Sequence, residues 1–286
     1  MNLAFIGIGD MGSEMVPHLV SQDYQVTIWD RDTEKLKQDK LKKSNVNLAT
    51  SLKNAVANAD IVITSVMSDD VLNLHLGSKN HSGIIDFLKK GAILIITSTL
   101  DPQKIMEIQE HMPSETYLLD APMIGGVKYA RNAKLEFIVG GPHTIADKVA
   151  SILSVMGTFN YVGKIGNGAK LKLITNDTIM AAEAGIRETL DLSDAYGIDY
   201  QTTLDLLQKG PLKPVVVRAL DKTNPRPLAD SLADVDELVG ATKKLIDLPI
   251  VKSAQNRLKK AVNVKPQAEF IDITNKSTAL KQFRDS

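Results

Sequence analysis

Cysteine is absent from the 286-residue chain. That excludes disulfides, thiolate zinc sites and a cysteine nucleophile, and with them a secreted scaffold held by disulfides. Net charge is also absent: 34 Lys and Arg balance 34 Asp and Glu. No basic field exists to neutralise phosphates, so no nucleic-acid partner is expected. No run approaches the roughly 18 apolar residues needed to cross a bilayer, so no membrane partner is expected either. The start, MNLAFIGIGDMG, lacks a basic region and breaks its apolar run with glycines, so it does not read as a signal peptide. His18, His75, His81, His111 and His143 fall in no ligand spacing, so no metal site is expected and all five read as surface or packing residues. There is no G-x-S-x-G, so serine hydrolase chemistry has no support. These absences leave a cytoplasmic globular protein as the expectation.

What is present is 43% hydrophobic and 24% charged residues, enough for a real core in about two domains. From 1 to 164, short apolar runs alternate with amphipathic stretches. Asn2 to Ile8, Gln25 to Trp29, Ile61 to Val66, Ile93 to Ile96, Tyr117 to Leu119 and Leu135 to Val139 read as strands. Ser13 to Ser21 and Thr144 to Met156 read as helices between them. This alternation predicts an α/β domain with a doubly wound parallel sheet. From 165 to 286 no strand pattern is evident. Ala169 to Tyr196 has no proline and one glycine, and its apolar residues recur at helical spacing, which predicts one long helix opening an all-α domain. The basic run Lys35 to Lys43 reads as one solvated helix surface, and the tail after Pro266 as polar and poorly ordered.

Gly7-Ile8-Gly9-Asp10-Met11-Gly12 follows the first strand and opens the first helix. In that context G-x-G-x-x-G is a dinucleotide-binding, Rossmann-type loop. Gly7 permits the tight turn, Gly9 lets the backbone approach a pyrophosphate, and Gly12 lets the helix pack on the strand. The helix N-terminus then faces the phosphates. Asp30 ends the second strand 18 residues past Gly12, near the roughly 20 expected for the acid on the adenine ribose. A carboxylate there repels a 2′-phosphate, so NAD is expected over NADP. Arg31 leaves NADP possible, because it could stack on adenine or pair with that phosphate. Asp30 could alternatively cap the helix that follows it. Trp29 reads as core or adenine-side packing.

Four blocks together carry a wider likeness. They are Phe5 to Met15, Ser98-Thr99-Leu100-Asp101-Pro102, Asp120-Ala121-Pro122-Met123-Ile124-Gly125-Gly126, and Gly166 to Asn176. Over roughly 1 to 210 the chain resembles the β-hydroxyacid dehydrogenase family, which includes 3-hydroxyisobutyrate dehydrogenase and, more distantly, 6-phosphogluconate dehydrogenase. The resemblance implies an NAD(P)-dependent dehydrogenase or reductase with a small-molecule substrate and a homodimeric or homotetrameric assembly, the helical domain supplying the dimer surface. It implies that Thr99 lies near the nicotinamide, with Val66 and Met67 also facing the cofactor. Gly125 and Gly126 would belong to the substrate loop, and Lys172 would be the catalytic lysine. Asn176, one helical turn on, shares its face and could orient the substrate oxygen. Lys170 points about 200° away from Lys172 and is the weaker candidate. As hydride leaves a carbinol carbon, the hydroxyl proton needs a base. Partial burial between the domains would bring a lysine toward that role.

Three departures bear on the substrate. Ile124 stands where the family carries a serine that grips the substrate carboxylate. Ala233-Asp234-Val235 stands where it carries K-D-L, and Thr97 where an aspartate is common. The alternatives they raise are a reductase of an aldehyde or imine without a carboxylate, and a catalytically impaired dinucleotide-binding protein.

Overall fold

Six apolar runs become the strands of one sheet: β1 (Asn2–Ile6), β2 (Gln25–Trp29), β3 (Asn47–Leu48), β4 (Ile61–Thr64), β5 (Ile93–Ile96) and β6 (Tyr117–Asp120). In this computed structural model, which describes residues 1–22, 24–67 and 71–274, their order is β3-β2-β1-β4-β5-β6, and every pairing is parallel. Parallel strands are buried on both faces, so their runs are continuously apolar, and alternate residues serve two cores. Leu3, Phe5, Ile61, Ile63, Ile93 and Ile95 enter one core cluster. Ala4, Ile6, Val62, Leu94 and Ile96 enter the other. Each such Leu, Ile or Phe contributes on the order of 1.5–3 kcal/mol.

Helices cover the two faces. On one face, α1 (Gly12–Val20) buries Met15, Val16 and Leu19, and α2 (Asp39–Lys42) buries Leu41. On the other lie α3 (Leu52–Val56), α4 (Val71–Leu76) and α5 (Pro102–Glu110), which contribute Ala55, Val56, Val71, Ile105 and Ile108. The start of α5 is fixed by Asp101, whose carboxylate accepts from Gln103 N at 2.8 Å, with Pro102 in the first turn. His75 on α4 is fully buried between Thr64 Oγ1 at 3.1 Å and Val71 O at 2.7 Å. Burial pushes its pKa down to about 4, so it is a neutral packing group.

After β6 the chain builds a small second sheet from β7 (Met123–Ile124), β8 (Leu135–Val139) and β9 (Gly157–Tyr161). β8 is antiparallel to β7 and parallel to β9. The connections are α6 (Val127–Arg131) and α7 (His143–Ser154). Then comes α8 (Asn167–Ala195), 29 residues long. It is followed by α9 (Tyr200–Leu207), α10 (Lys213–Ala219), α11 (Leu228–Thr242) and α12 (Pro249–Val264). This last region contains no strand among its described residues, as the sequence predicts.

The chain divides into compact units Met1–Leu173 and Ile174–Ser286, against a sequence-based division at 164/165. The start of α8 counts with the first unit because β6 holds it. Asp120 accepts from Gly166 N at 2.8 Å and from Ala169 N at 2.7 Å.

Two expectations are corrected. The basic run Lys35 to Lys43 is not one helix surface. It is a 3-10 turn, Thr33–Lys37, separated from α2 by the extended residue Gln38 (φ −62°, ψ 138°). The Gln38 amide bonds back to Lys35 O at 3.0 Å, and the break lets both Leu36 and Leu41 reach the core. The polar tail is ordered through Thr274. A 3-10 turn, Phe270–Thr274, buries Phe270 and Ile273 in the second unit's core. Residues 275–286 of that tail lie outside the described residues.

Candidate cofactor and catalytic site

In a sheet of this order the chain reverses its winding between β1 and β4, and loops at the strands' carboxyl ends open a crevice there. The candidates Gly7 to Gly12, Asp30, Val66 with Met67, and Thr99 follow β1, β2, β4 and β5 respectively. The topology therefore brings them to one edge of the sheet.

The three loop glycines differ in what demands them. Gly7 has φ +95°, and a Cβ there would lie 2.2 Å from Ser65 O. A Cβ on Gly12 would lie 2.1 Å from Gly7 O and 3.0 Å from Phe5 Cε1, so Gly12 lets α1 close on the loop as well as on β1. A Cβ on Gly9 would meet nothing within 4 Å. The fold itself requires the first and third glycines but gives no reason for the second. A ligand pressed against the Gly9 backbone does, and the opening of α1 just beyond supplies helix N-terminal amides for an anion. The residues present therefore fit a dinucleotide pyrophosphate. Asp10 is exposed and Met11 half-buried. The Ile8 side chain is core, and its N–H donates to Asp30 Oδ2 at 2.7 Å.

Asp30 is buried, and its other oxygen accepts from Asp32 N at 2.8 Å. It is not the helix cap; Asp32 is, accepting from Glu34 N at 3.1 Å. Asp30 instead ties the end of β2 to the glycine loop. Each of its oxygens keeps a lone pair that a ribose hydroxyl could use. Arg31 is exposed, and Trp29 packs on the second core cluster. At the end of β4, the Ser98 hydroxyl donates to Val66 O at 2.6 Å and lies 3.3 Å from Val66 N, which pins Val66 beside the β5 turn. Met67 is 45% exposed and Thr99 half-buried. Thr97 is core-facing, donating to Thr64 O at 2.8 Å.

Ile124 lies in β7, half-buried and paired with Glu136. Gly125 follows at φ +126°, with Tyr129 Cβ 2.9 Å and Leu135 Cδ2 3.0 Å from where its own Cβ would be. Gly126 precedes α6. Lys172 and Asn176 sit one turn apart on α8, 8% and 2% exposed, whereas Lys170 is exposed.

Around Asn176 the second unit holds a polar network that sequence spacing does not reveal. Asn176 Nδ2 donates to Asp234 Oδ2 at 3.4 Å, and Arg226 Nη2 donates to the same oxygen at 2.8 Å. Arg226 Nε donates to Ser231 Oγ at 2.8 Å. Two turns along α8, Glu183 is buried, and burial pushes its pKa up to about 7 despite the nearby Arg218 and Arg226 charges. The Asp234 of the A-D-V block thus anchors the asparagine's amide. Its neighbours come from α8, α11 and the segment before α11, so only the fold brings them together.

A parallel sheet in this order, with a glycine loop after β1 and an acid after β2, defines a dinucleotide-binding protein of the Rossmann type. Residues 2–166 match the family described as the NAD binding domain of 6-phosphogluconate dehydrogenase, and the chain belongs to the β-hydroxyacid dehydrogenase family. The probable 3-hydroxyisobutyrate dehydrogenase-like 1, mitochondrial, of Arabidopsis thaliana is 30% identical over 210 residues, 73% of this chain and 62% of that protein. The mitochondrial 3-hydroxyisobutyrate dehydrogenase of Rattus norvegicus is 30% identical over 200 residues, 69% of this chain and 58% of that one. The matches thus span about three fifths of those relatives' length. A solved structure of Mycobacterium tuberculosis 3-hydroxyisobutyrate dehydrogenase with L-serine has the same fold, with a TM-score of 0.79 at 22% identity over 96% of this chain and 97% of that one.

Proposed function

We propose that the chain is an NAD(P)-dependent dehydrogenase or reductase acting on a small β-hydroxyacid or its semialdehyde, with Lys172 as general acid/base. The observation that carries this reading is the burial of Lys172 and Asn176 one turn apart on α8, at 8% and 2% exposure. Lysine is almost never buried without a task or a partner, and here it shares a helix face with a hydrogen-bonding amide. A bound nicotinamide supplies the hydride acceptor or donor. The chain's own residues do the rest. Neutral Lys172 Nζ takes the hydroxyl proton as the carbonyl forms, and its ammonium returns that proton in the reduction. Asn176, with one amide N–H engaged by Asp234, keeps its second to donate to the substrate oxygen and orient it. The Gly125 and Gly126 backbone would receive the substrate's anionic end without a serine hydroxyl at position 124.

NAD is proposed over NADP because Asp30 is held at the end of β2 by two backbone amides. A homodimer or homotetramer is supported by Ile174, Leu192 and Tyr196 of the second unit, at 63%, 55% and 76% exposure. A cytoplasmic setting belongs to the same proposal; no helix among the described residues is long and apolar enough to cross a membrane. The test is a cofactor-turnover screen over small hydroxyacids and semialdehydes, with Lys172→Ala alongside. The variant should lose about 10²–10⁴-fold in kcat while binding cofactor as wild type does. Full activity in that variant would sink the assignment.

A further inference from the structure

The second unit contains a cavity of about 80 Å³ that the proposed reaction does not use. Its apolar wall is made by Met180 and Ala184 of α8, Ala254 and Leu258 of α12, and Phe270 and Ile273 of the turn that follows. Glu183 also lines it. That side chain is 6% exposed, and its Oε1 is buried without a hydrogen-bond partner among the described residues. Arg218 Nε stands 3.3 Å from this oxygen, close enough for an ion pair but not aligned as a hydrogen bond. A buried acceptor left open in this way is costly, and the other charged residues of the lining are ion-paired or exposed to solvent.

The surrounding charges restrict what can fill it. Arg187 is paired with Asp191 at 2.6 Å, Arg257 with Glu188 at 2.8 Å, and Lys265 with Asp272 at 2.9 Å. Those cations are already satisfied, and Lys260, the other cation of the lining, is exposed to solvent. A carboxylate would therefore gain little inside and would meet the Glu183 carboxyl. An ammonium would face Arg218 and Arg226, the two cations among the three charges acting on Glu183. A neutral donor suffers neither repulsion. For size, an apolar cavity of about 150 Å³ accommodates benzene, so the occupant is smaller than that.

We propose that this cavity is a binding site for a small neutral alcohol, whose aliphatic body packs on Met180, Ala254, Phe270 and Ile273 and whose hydroxyl donates to Glu183. The site is separate from Lys172 and does not depend on the reaction assigned to it. The test titrates the full-length, cofactor-free protein with 1-propanol, propylamine and propanoate, all smaller than benzene, read by calorimetry and by methyl NMR of Met180 and Ile273. Propanol should bind saturably, shift both methyl signals, and bind about tenfold more tightly than the amine or the carboxylate. Glu183→Leu should remove the alcohol's advantage. Glu183→Gln, which keeps an acceptor, should bind within about threefold of wild type. Ala254→Phe should fill the cavity and abolish binding; circular dichroism checks that each variant is folded. Absence of saturable binding, tighter binding of either charged probe, shifts confined to residues around Lys172, or wild-type affinity in both Glu183→Leu and Ala254→Phe would each overturn the proposal.

Discussion

Replacing Gly9 and Gly12 each by alanine separates a glycine kept for a ligand from one kept for the fold. At Gly12 the new Cβ would lie 2.1 Å from Gly7 O, a backbone atom that cannot rotate away. Relieving that clash should cost about 1–3 kcal/mol, the usual range for overpacking. For a protein of this size that lowers the melting temperature by about 2–4 °C per kcal/mol. At Gly9 the Cβ enters open space, so stability should stay within about 0.5 kcal/mol of wild type. Cofactor affinity should instead collapse. If the methyl displaces a pyrophosphate from one or two backbone donors, each charge-assisted hydrogen bond lost is worth about 1.5–3 kcal/mol, or about 10- to 150-fold in Kd. Thermal melts and calorimetric titration with NAD measure the two quantities independently. A Gly9→Ala protein that is destabilised like Gly12→Ala yet binds NAD normally would refute the distinction, and with it the placement of the phosphates at this loop.

Asp120→Ala should cost about 3–5 kcal/mol in a denaturant titration, because it strips the shared acceptor from the Gly166 and Ala169 amides inside the fold; a loss below about 1 kcal/mol would show that water replaces it. Glu183, pushed up to about 7 by burial against an ordinary value of 4.5, holds its proton in the folded protein where the unfolded chain has lost it. The folded state then binds more protons, so wild-type stability should fall as pH rises from about 4.5 to about 7. The fall is about 3 kcal/mol at 1.36 kcal/mol per unit, and Glu183→Gln, which titrates in neither state beside Arg218, Arg226 and Asp234, should lack it in unfolding curves taken at pH 5 and pH 8. Asp30→Ala should weaken NAD about tenfold while leaving or improving NADP, since it removes both the ribose acceptor and the charge opposed to a 2′-phosphate; an unchanged ratio of the two dissociation constants would remove Asp30 from cofactor choice.

The strands of the large sheet were legible because burial on both faces makes them continuous apolar runs, as at Ile61–Thr64 and Ile93–Ile96. Strands without that property escaped. β3 is two exposed residues on the sheet's edge, and β7 is two residues in the 120–126 loop. β9, Gly157–Tyr161, is half-covered and mixes Thr, Phe and Asn. The tail looked polar because Glu269, Asp272 and Thr274 alternate with Ala268, Phe270 and Ile273, whose burial depends on a distant partner, α8. Gly9 was legible as a motif position, but only the fold shows that none of the described residues demands it. Arg226, Asp234 and Glu183 stayed hidden for the opposite reason. Each is an ordinary charged residue in sequence; the packing of α8, α11 and the segment before it brings Asp234 to Asn176 and Arg226 near Glu183.

The most instructive joining is between two blocks that the sequence presents as separate. The 120–126 block reads as a substrate loop and the 166–176 block as a catalytic helix, yet Asp120 belongs to both. Fully buried at the end of β6, it accepts from Gly166 N and Ala169 N. It also takes the space that a Cβ on Gly168 would need: that atom would lie 2.8 Å from Asp120 Oδ2 and 2.3 Å from Ile138 O. Gly166 sits at φ +83° to turn the chain into the helix. Asp120, Gly166 and Gly168 are engaged with one another. They are the joint that fixes the start of α8, in axial position and in rotation, to the end of β6, from which the chain runs through β7 to the Gly125-Gly126 turn. A helix anchored at residue 169 places residue 172 one turn later with little freedom to rotate. The face that Lys172 and Asn176 present is therefore set by a carboxylate some fifty positions earlier in the chain, which is why the two blocks have to be read together.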